Sequence, residues 1–162
     1  MTYRTTSWLD PRLEVRASEI DGRGLFAGAP IAAGDRLVIW GGEVGEVWRK
    51  GGVAVGEGRY LTGQGDVSDR MNHSCDPTVW MLNEVTLVAR RALTAAEEAT
   101  ADYALWEGDE SWTARWRCRC GTSGCRGVLT GRDWRLPVLQ TRYAGRFSPF
   151  LEARIARLRG EA

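Results

Sequence analysis

The sequence predicts a mainly β fold, with helices confined to its C-terminal end. Three observations carry this. The first hundred residues are short apolar runs cut by Gly and Asp. Twenty glycines in 162 residues supply many tight turns. From about Glu107 the texture changes to an Arg-, Gly- and Cys-rich stretch without a period, followed by two helical patterns.

Taken in order, "LEVRASEI" and "GLFAGAPI" read as strands bounded by Gly and Asp. "GDRLVIWGGEV" reads as a strand with Gly at both ends, and "EGRYLTG" as a further short one. "TVWMLNEVTLVARRAL" has the pattern of a hairpin, with Asn83 and Glu84 near its turn. "EGDESWTARWRCRCGTSGCRGVLTGRD" cannot bury enough apolar surface by itself, so a metal clip would make sense there. "DWRLPVLQTRYAG" predicts a helix with Asp133 as N-cap, ending before Gly145. "SPFLEARIARLRG" predicts another, with Ser148 as N-cap, Pro149 at its first position, and Leu151, Ile155 and Leu158 on one face. Its arginines lie mostly off that stripe and read as a solvated face. The division expected is residues 12–106, a cysteine-bearing segment over 107–131, and a helical extension over 132–162.

Length allows one domain with a modest appendage. The balance of 22 basic and 21 acidic residues gives a net charge of +1. That is not the strongly basic signature of a nucleic-acid binder, so nucleic acid is not expected as a direct ligand. No run of about 20 apolar residues is present, so no membrane span is expected. The start "MTYRTTSWLDPRLEV" lacks the basic-then-apolar order of a secretory signal. The chain is therefore read as cytoplasmic, where structural disulfides are uncommon.

The four cysteines then need another explanation. Cys118, Cys120 and Cys125 follow a Cys-x-Cys-x4-Cys spacing, with glycines that let the loop turn back. Three thiolates this close can share one tetrahedral ion, and zinc takes four such ligands. The fourth must come from elsewhere. Cys75 and His73, two residues apart in "DRMNHSCDPTVW", are the obvious candidates. A site closed by four protein ligands has no position for water and would be structural.

With these pieces in place, the sequence resembles the SET-domain family of protein lysine methyltransferases, as a small stand-alone SET plus post-SET protein. Four stretches carry the resemblance in the family's order: "DGRGLFAGAPIAAGD", "NHSCDPT", "AEEATADYA" and "CRCGTSGCRGVL". They span Asp21 to Leu129. The resemblance implies small curved β-sheets with knot-like threading near the "NHSC" segment. It implies S-adenosylmethionine as methyl donor, a protein substrate carrying a lysine, and one structural zinc. Backbone around Arg23, Gly24 and Leu25 would line the donor's methionine part, and Asn72 and His73 its amino and adenine ends. Leu129 would pack near the adenine. Cys75 would join Cys118, Cys120 and Cys125 on the zinc. Tyr103 would be the central catalytic residue, orienting methyl group and amine. Tyr60 matches a second family tyrosine, beside the reading of a strand aromatic in the core. Asp102 would fix local structure. A role for His73 as general base is set against the family's use of that residue for cofactor contact and packing.

Departures from the family pattern are specific. Ala101 stands two residues before Tyr103, where the family often has an aromatic that influences how many methyl groups are added. Thr78 replaces the asparagine usual after Asp-Pro. The run before "NHSC" is Asp69, Arg70, Met71. Lys50, the only lysine, is the one internal site for self-methylation. A catalytically idle SET-like zinc module that binds a partner is the competing expectation.

Overall fold

A computed structural model describes residues 2–48, 51–62, 65 and 67–161. Lys50, the expected self-methylation site, lies outside these residues.

The chain folds as the sequence pattern predicts, mainly into short strands. They are β1 (Trp8–Leu9), β2 (Leu13–Ala17), β3 (Arg23–Ala27), β4 (Arg36–Ile39), β5 (Glu43–Gly45), β6 (Val53–Gly56), β7 (Arg59–Thr62), β8 (Asn72–His73), β9 (Val79–Met81), β10 (Thr86–Ala89) and β11 (Glu98–Ala101). Among the described residues three small sheets result, ordered β1-β4-β10-β9, β2-β3-β11-β8 and β5-β7-β6. Every pairing is antiparallel except that of β8 with β11. The single strand expected over "GDRLVIWGGEV" is two, because the chain leaves the first sheet after Ile39 and joins the third at Glu43. Gly42, at φ 140°, sits at that crossing, in a conformation that favours glycine.

The expected hairpin is β9–β10. Its turn closes with the Leu82 N–H donating to the Thr86 carbonyl at 2.8 Å and the Val85 N–H donating to Asn83 Oδ1 at 3.1 Å. Between the sheets a continuous core forms from Leu25, Leu37, Leu61, Met81, Leu87, Leu93 and Leu105, among others. Trp134, Tyr143, Leu151 and Ile155 from the C-terminal end join the same core. The extension is therefore packed against the β structure rather than tethered to it.

Two helix expectations need correction. The segment from Asp133 is not one helix: a 3₁₀ turn at Asp133–Arg135 precedes α1 (Pro137–Arg142). Leu136 between them is extended, with ψ 122°, as the residue before a proline prefers. Asp133 spends its carboxylate on Thr130 and Arg126 instead of capping. The last helix, α2 (Pro149–Arg159), starts as expected, with the Ser148 hydroxyl accepting from the Leu151 N–H, and ends at left-handed Gly160. Its apolar stripe is shorter than expected. Leu151 and Ile155 are buried, whereas Leu158 is exposed. Arg154 and Arg157 pair with Glu57 at the β6–β7 turn, and Arg154 also donates to the Gly108 carbonyl at 2.7 Å. Part of the basic face thus fastens α2 to the third sheet.

Among the described residues no helix is long and apolar enough to cross a membrane.

Candidate active site

Cys75, Cys118, Cys120 and Cys125 converge. Their sulfur atoms all lie within 4.8 Å of one another. Four thiolates at about 2.3 Å from a tetrahedral zinc stand about 3.8 Å apart, so the donor set fits that ion with little contraction. The remote loop is folded for it: the Cys118 N–H donates to the Gly127 carbonyl and the Cys125 N–H to Thr122. Left-handed Gly121 and Gly127 make the bends. Cys75 is buried at the loop's back, where its sulfur accepts the Arg126 N–H at 3.3 Å.

His73 stands behind this cluster and not in it. Its Nε2 lies 3.2 Å from Cys75 Sγ, and its Nδ1 accepts the Tyr103 N–H at 3.3 Å. An accepting Nδ1 assigns the proton to Nε2, which then donates to the sulfur. Burial lowers the His73 pKa to about 4, against a smaller opposing pull from Asp102. The ring is therefore neutral near pH 7, and both its nitrogens are engaged by protein. What remains of His73 for a ligand is its backbone and ring edge.

The parallel pairing builds the neighbouring gap. β11 pairs with β3 at Glu98 and Ala99, then with β8 through Thr100↔Asn72 and Ala101↔His73. Among the described residues, β3 pairs at Gly24 with β2 alone, through Arg16. Asn72 fills the opening: its Nδ2 donates to the Asp21 carbonyl at 3.0 Å, the Arg23 carbonyl at 3.5 Å and Glu98 Oε1 at 2.8 Å. Glu98 also accepts from the Ser18 hydroxyl at 2.8 Å. A side chain at Gly24 would collide with the Glu98 carboxylate. These oxygens converge on a nitrogen, an acceptor set that also suits the amino group of a ligand. Leu25 is fully buried, with strands on both sides, so its side chain is closed to a ligand. Arg23 is exposed and its guanidinium donates to the Val15 carbonyl.

Tyr103 begins a 3₁₀ turn, Tyr103–Leu105, directly after β11. Its phenol donates to the Met71 carbonyl at 2.9 Å. The ring meets His73 edge-on at 5.1 Å and leans on Trp106 at 5.5 Å. Burial, then the Asp21 and Asp69 carboxylates, raises its pKa, so the phenol stays protonated. Its hydroxyl proton is directed at Met71, which leaves oxygen lone pairs to accept. Ala101, two residues earlier, is fully buried, and Thr78 serves β11 by accepting the Thr100 N–H at 2.8 Å. Leu129 is buried near the end of the cysteine loop. Tyr60 lies on β7, opposite Ala54 and Gly45, where burial and the charges of Asp109 and Glu107 raise its pKa.

Sequence reasoning gave Asp102 a structural role but missed the side chains that hold it. Asp102 has no exposure, and Arg126 grips both its oxygens at 2.7 and 2.6 Å. Asp102 also accepts from the Tyr143 hydroxyl at 3.1 Å and from the Ala104 N–H at 3.0 Å. Arg126 reaches Asp133 as well, at 2.9 Å, and Arg142 on α1 donates to the Cys75 carbonyl at 2.8 Å. Only one signal pointed this way: an arginine directly after the last cysteine, among many arginines.

No protein-family model matches the chain. Curated relatives do. The chain is 29% identical over 150 residues to histone-lysine N-methyltransferase ATX2 of Arabidopsis thaliana, covering 75% of this chain and 13% of the relative. It is 32% identical over 136 residues to the H3 lysine-4 specific histone-lysine N-methyltransferase of Candida albicans, covering 69% of this chain and 13% of that protein. The chain thus spans about an eighth of these relatives' length. Its fold is similar to the crystal structure of KRYPTONITE in complex with mCHG DNA and SAH, with TM-score 0.61, 23% identity, and 74% of this chain and 29% of that chain covered. Four motifs in order, the three-sheet architecture with its four-cysteine cluster, and these likenesses agree: the chain belongs to the SET-domain family.

Proposed function

We propose that this chain transfers a methyl group from S-adenosylmethionine to the ε-amine of a lysine on a protein. The observation that carries this reading is the Tyr103 turn. One short stretch, Met71–Cys75, holds that turn by hydroxyl and backbone, and the same stretch supplies Asn72 and Cys75. The relatives' printed names, histone-lysine N-methyltransferases, support the reaction and the substrate class. SAH, named with KRYPTONITE, supports the donor.

The donor would supply an electrophilic methyl on a sulfonium. The chain's work is then binding, alignment and keeping the amine neutral. A free lysine has a pKa of ~10.4, and an apolar, poorly hydrated surrounding lowers it. Trp106 and Trp40, stacked edge-to-face at 4.9 Å beside Tyr103, provide apolar walls. Tyr103, its proton held on Met71, offers oxygen lone pairs that can orient the methyl and the amine for in-line attack. Correct positioning of this kind contributes several kcal/mol, roughly 7–11 in favourable cases. Backbone at Arg23, Gly24 and Leu25, with Asn72 and His73, would hold the donor, and Leu129 would cover its adenine. Tyr60 is the second tyrosine of the site in this reading. Cys75, Cys118, Cys120 and Cys125 would hold zinc, whose contribution there is to fix the loop. Neutral His73 has no proton-accepting nitrogen free and so acts in packing, not as a base.

The organisation into residues 12–106, 107–131 and 132–162 belongs to the same proposal. So does a protein rather than nucleic-acid ligand, supported by the +1 net charge. The test is calorimetry of zinc-loaded protein with SAH, together with transfer of labelled methyl into histones and lysate proteins and mapping of the product by mass spectrometry. Binding plus methyl-lysine supports the reading. No SAH binding ends it.

A further inference from the structure

We infer that Arg126 is a positioning residue for methyl transfer, holding the turn that carries Tyr103 against the cysteine clip through Asp102. The inference rests on the methyltransferase reading above.

Arg126 joins three parts of the chain. Its backbone N–H donates to Cys75 Sγ at 3.3 Å, so its starting point is fixed by the cysteine cluster. Its guanidinium takes both oxygens of Asp102, at 2.6 and 2.7 Å, and Asp133 Oδ2 at 2.9 Å. Asp102 directly precedes Tyr103 and caps its turn through the Ala104 N–H. Tyr143 holds the remaining direction, at 3.1 Å. The Asp102 side chain is fully buried and that of Arg126 is 13% exposed.

Such a pair is a poor device for stability alone. Desolvating two charges offsets most of their attraction, and apolar residues of similar volume often serve as well. What the pair does provide is geometry. A planar guanidinium bonded to both carboxylate oxygens permits one orientation, which a flexible lysine ammonium does not impose. The carboxylate so fixed sets where the turn starts, and the turn sets where the Tyr103 hydroxyl points. A second strut runs in parallel, from Cys75 through His73 to the Tyr103 N–H. Together they make the cysteine clip and the Tyr103 turn one body. Disorder in the clip would then reach the hydroxyl through Arg126.

The experiment compares Arg126→Gln, Arg126→Lys and Asp133→Asn in the full zinc-loaded chain, well below each melting midpoint. Zinc content, SAH affinity, and kcat and KM for S-adenosylmethionine are measured. Misplacement of a reacting group by about 1 Å can cost about a hundredfold, so Arg126→Gln should lower kcat about tenfold or more. Its zinc content should hold, and its SAH affinity and KM should stay within about threefold of wild type, since ground-state binding is not the point of action. Arg126→Lys should fall between the two; if Arg126→Gln does not fold, it carries the same comparison. Asp133→Asn leaves the Asp102 pair in place, so it should lower Tm and keep kcat within about twofold. An undiminished kcat in Arg126→Gln overturns the inference. So does an equal loss in Asp133→Asn, which would mean general loosening of the segment. A wild-type chain that binds no SAH sinks the methyltransferase reading, and this inference with it.

Discussion

Gly24→Ala tests how the gap at Asn72 is built. A methyl at Gly24 would lie 2.7 Å from Glu98 Cδ, and closer to its Oε1, so the carboxylate has to move. Moving it breaks the bonds from Asn72 Nδ2 and the Ser18 hydroxyl, each 2.8 Å long. Hydrogen bonds to a charged group contribute about 1.5–3 kcal/mol each. Both are partly solvated, so the lower figure applies, for about 3 kcal/mol in all. Replacing Gly restricts the unfolded chain and returns roughly 0.4–1 kcal/mol, because Gly24 is not left-handed. The net loss is about 2 kcal/mol, or about 4–8 °C in Tm at this chain length. The assay is thermal unfolding of four chains: wild type, Gly24→Ala, Glu98→Ala and the double variant. With Glu98 truncated, the one tight contact left is Asn72 Nδ2 at 3.1 Å, which a small shift of that side chain relieves, so Gly24→Ala should then cost less than about 1 kcal/mol. An equal cost in both backgrounds, or no cost in either, would refute the reasoning.

Three further outcomes follow from the same geometry. Ala96 sits at φ 68° in the turn before β11, a conformation costing an L-residue about 1–2 kcal/mol, so Ala96→Gly should raise stability by roughly 0.5–1 kcal/mol in chemical denaturation. Cys75→Ser removes one of four sulfurs; metal analysis should find much less than the roughly one zinc per chain that a four-thiolate site holds, and equal retention would put the fourth ligand elsewhere. Burial raises the Glu107 carboxyl above its ordinary pKa, more than the Asp109 N–H bond lowers it. Its contribution to folding is present below the unfolded pKa of ~4.3 and is lost as pH rises through the folded value. Glu107→Gln, whose amide oxygen can still accept that N–H, should raise Tm at pH 8 and leave it unchanged at pH 4.

The fold class was legible because alternation and glycine spacing are local signals. The β9–β10 hairpin, the Ser148 cap and the closeness of Cys118, Cys120 and Cys125 follow from short-range chemistry, whereas Cys75, more distant in sequence, was assigned to them only by the family resemblance. The parallel β8–β11 pairing was not legible, since β8 is two residues long and its partner lies about thirty residues away. Leu158 was misplaced because an apolar residue on a stripe says nothing of where the covering surface stops. Pro137 marked a break that the helical pattern around it masked. At the site, the motif residues, Asp102 among them, could be named in advance, but its buried partners Arg126 and Tyr143 could not. One arginine among many has no periodicity to betray it, and only the folded chain brings it to Asp102.

The account stands most directly on Tyr103. The decisive measurement is the rate of labelled methyl transfer from S-adenosylmethionine to protein lysine, wild type against Tyr103→Phe, with SAH affinity measured on both. The account predicts that the variant folds and binds SAH like wild type and loses methyl transfer by about tenfold or more, since only the orienting oxygen is gone. Undiminished transfer by Tyr103→Phe would contradict it.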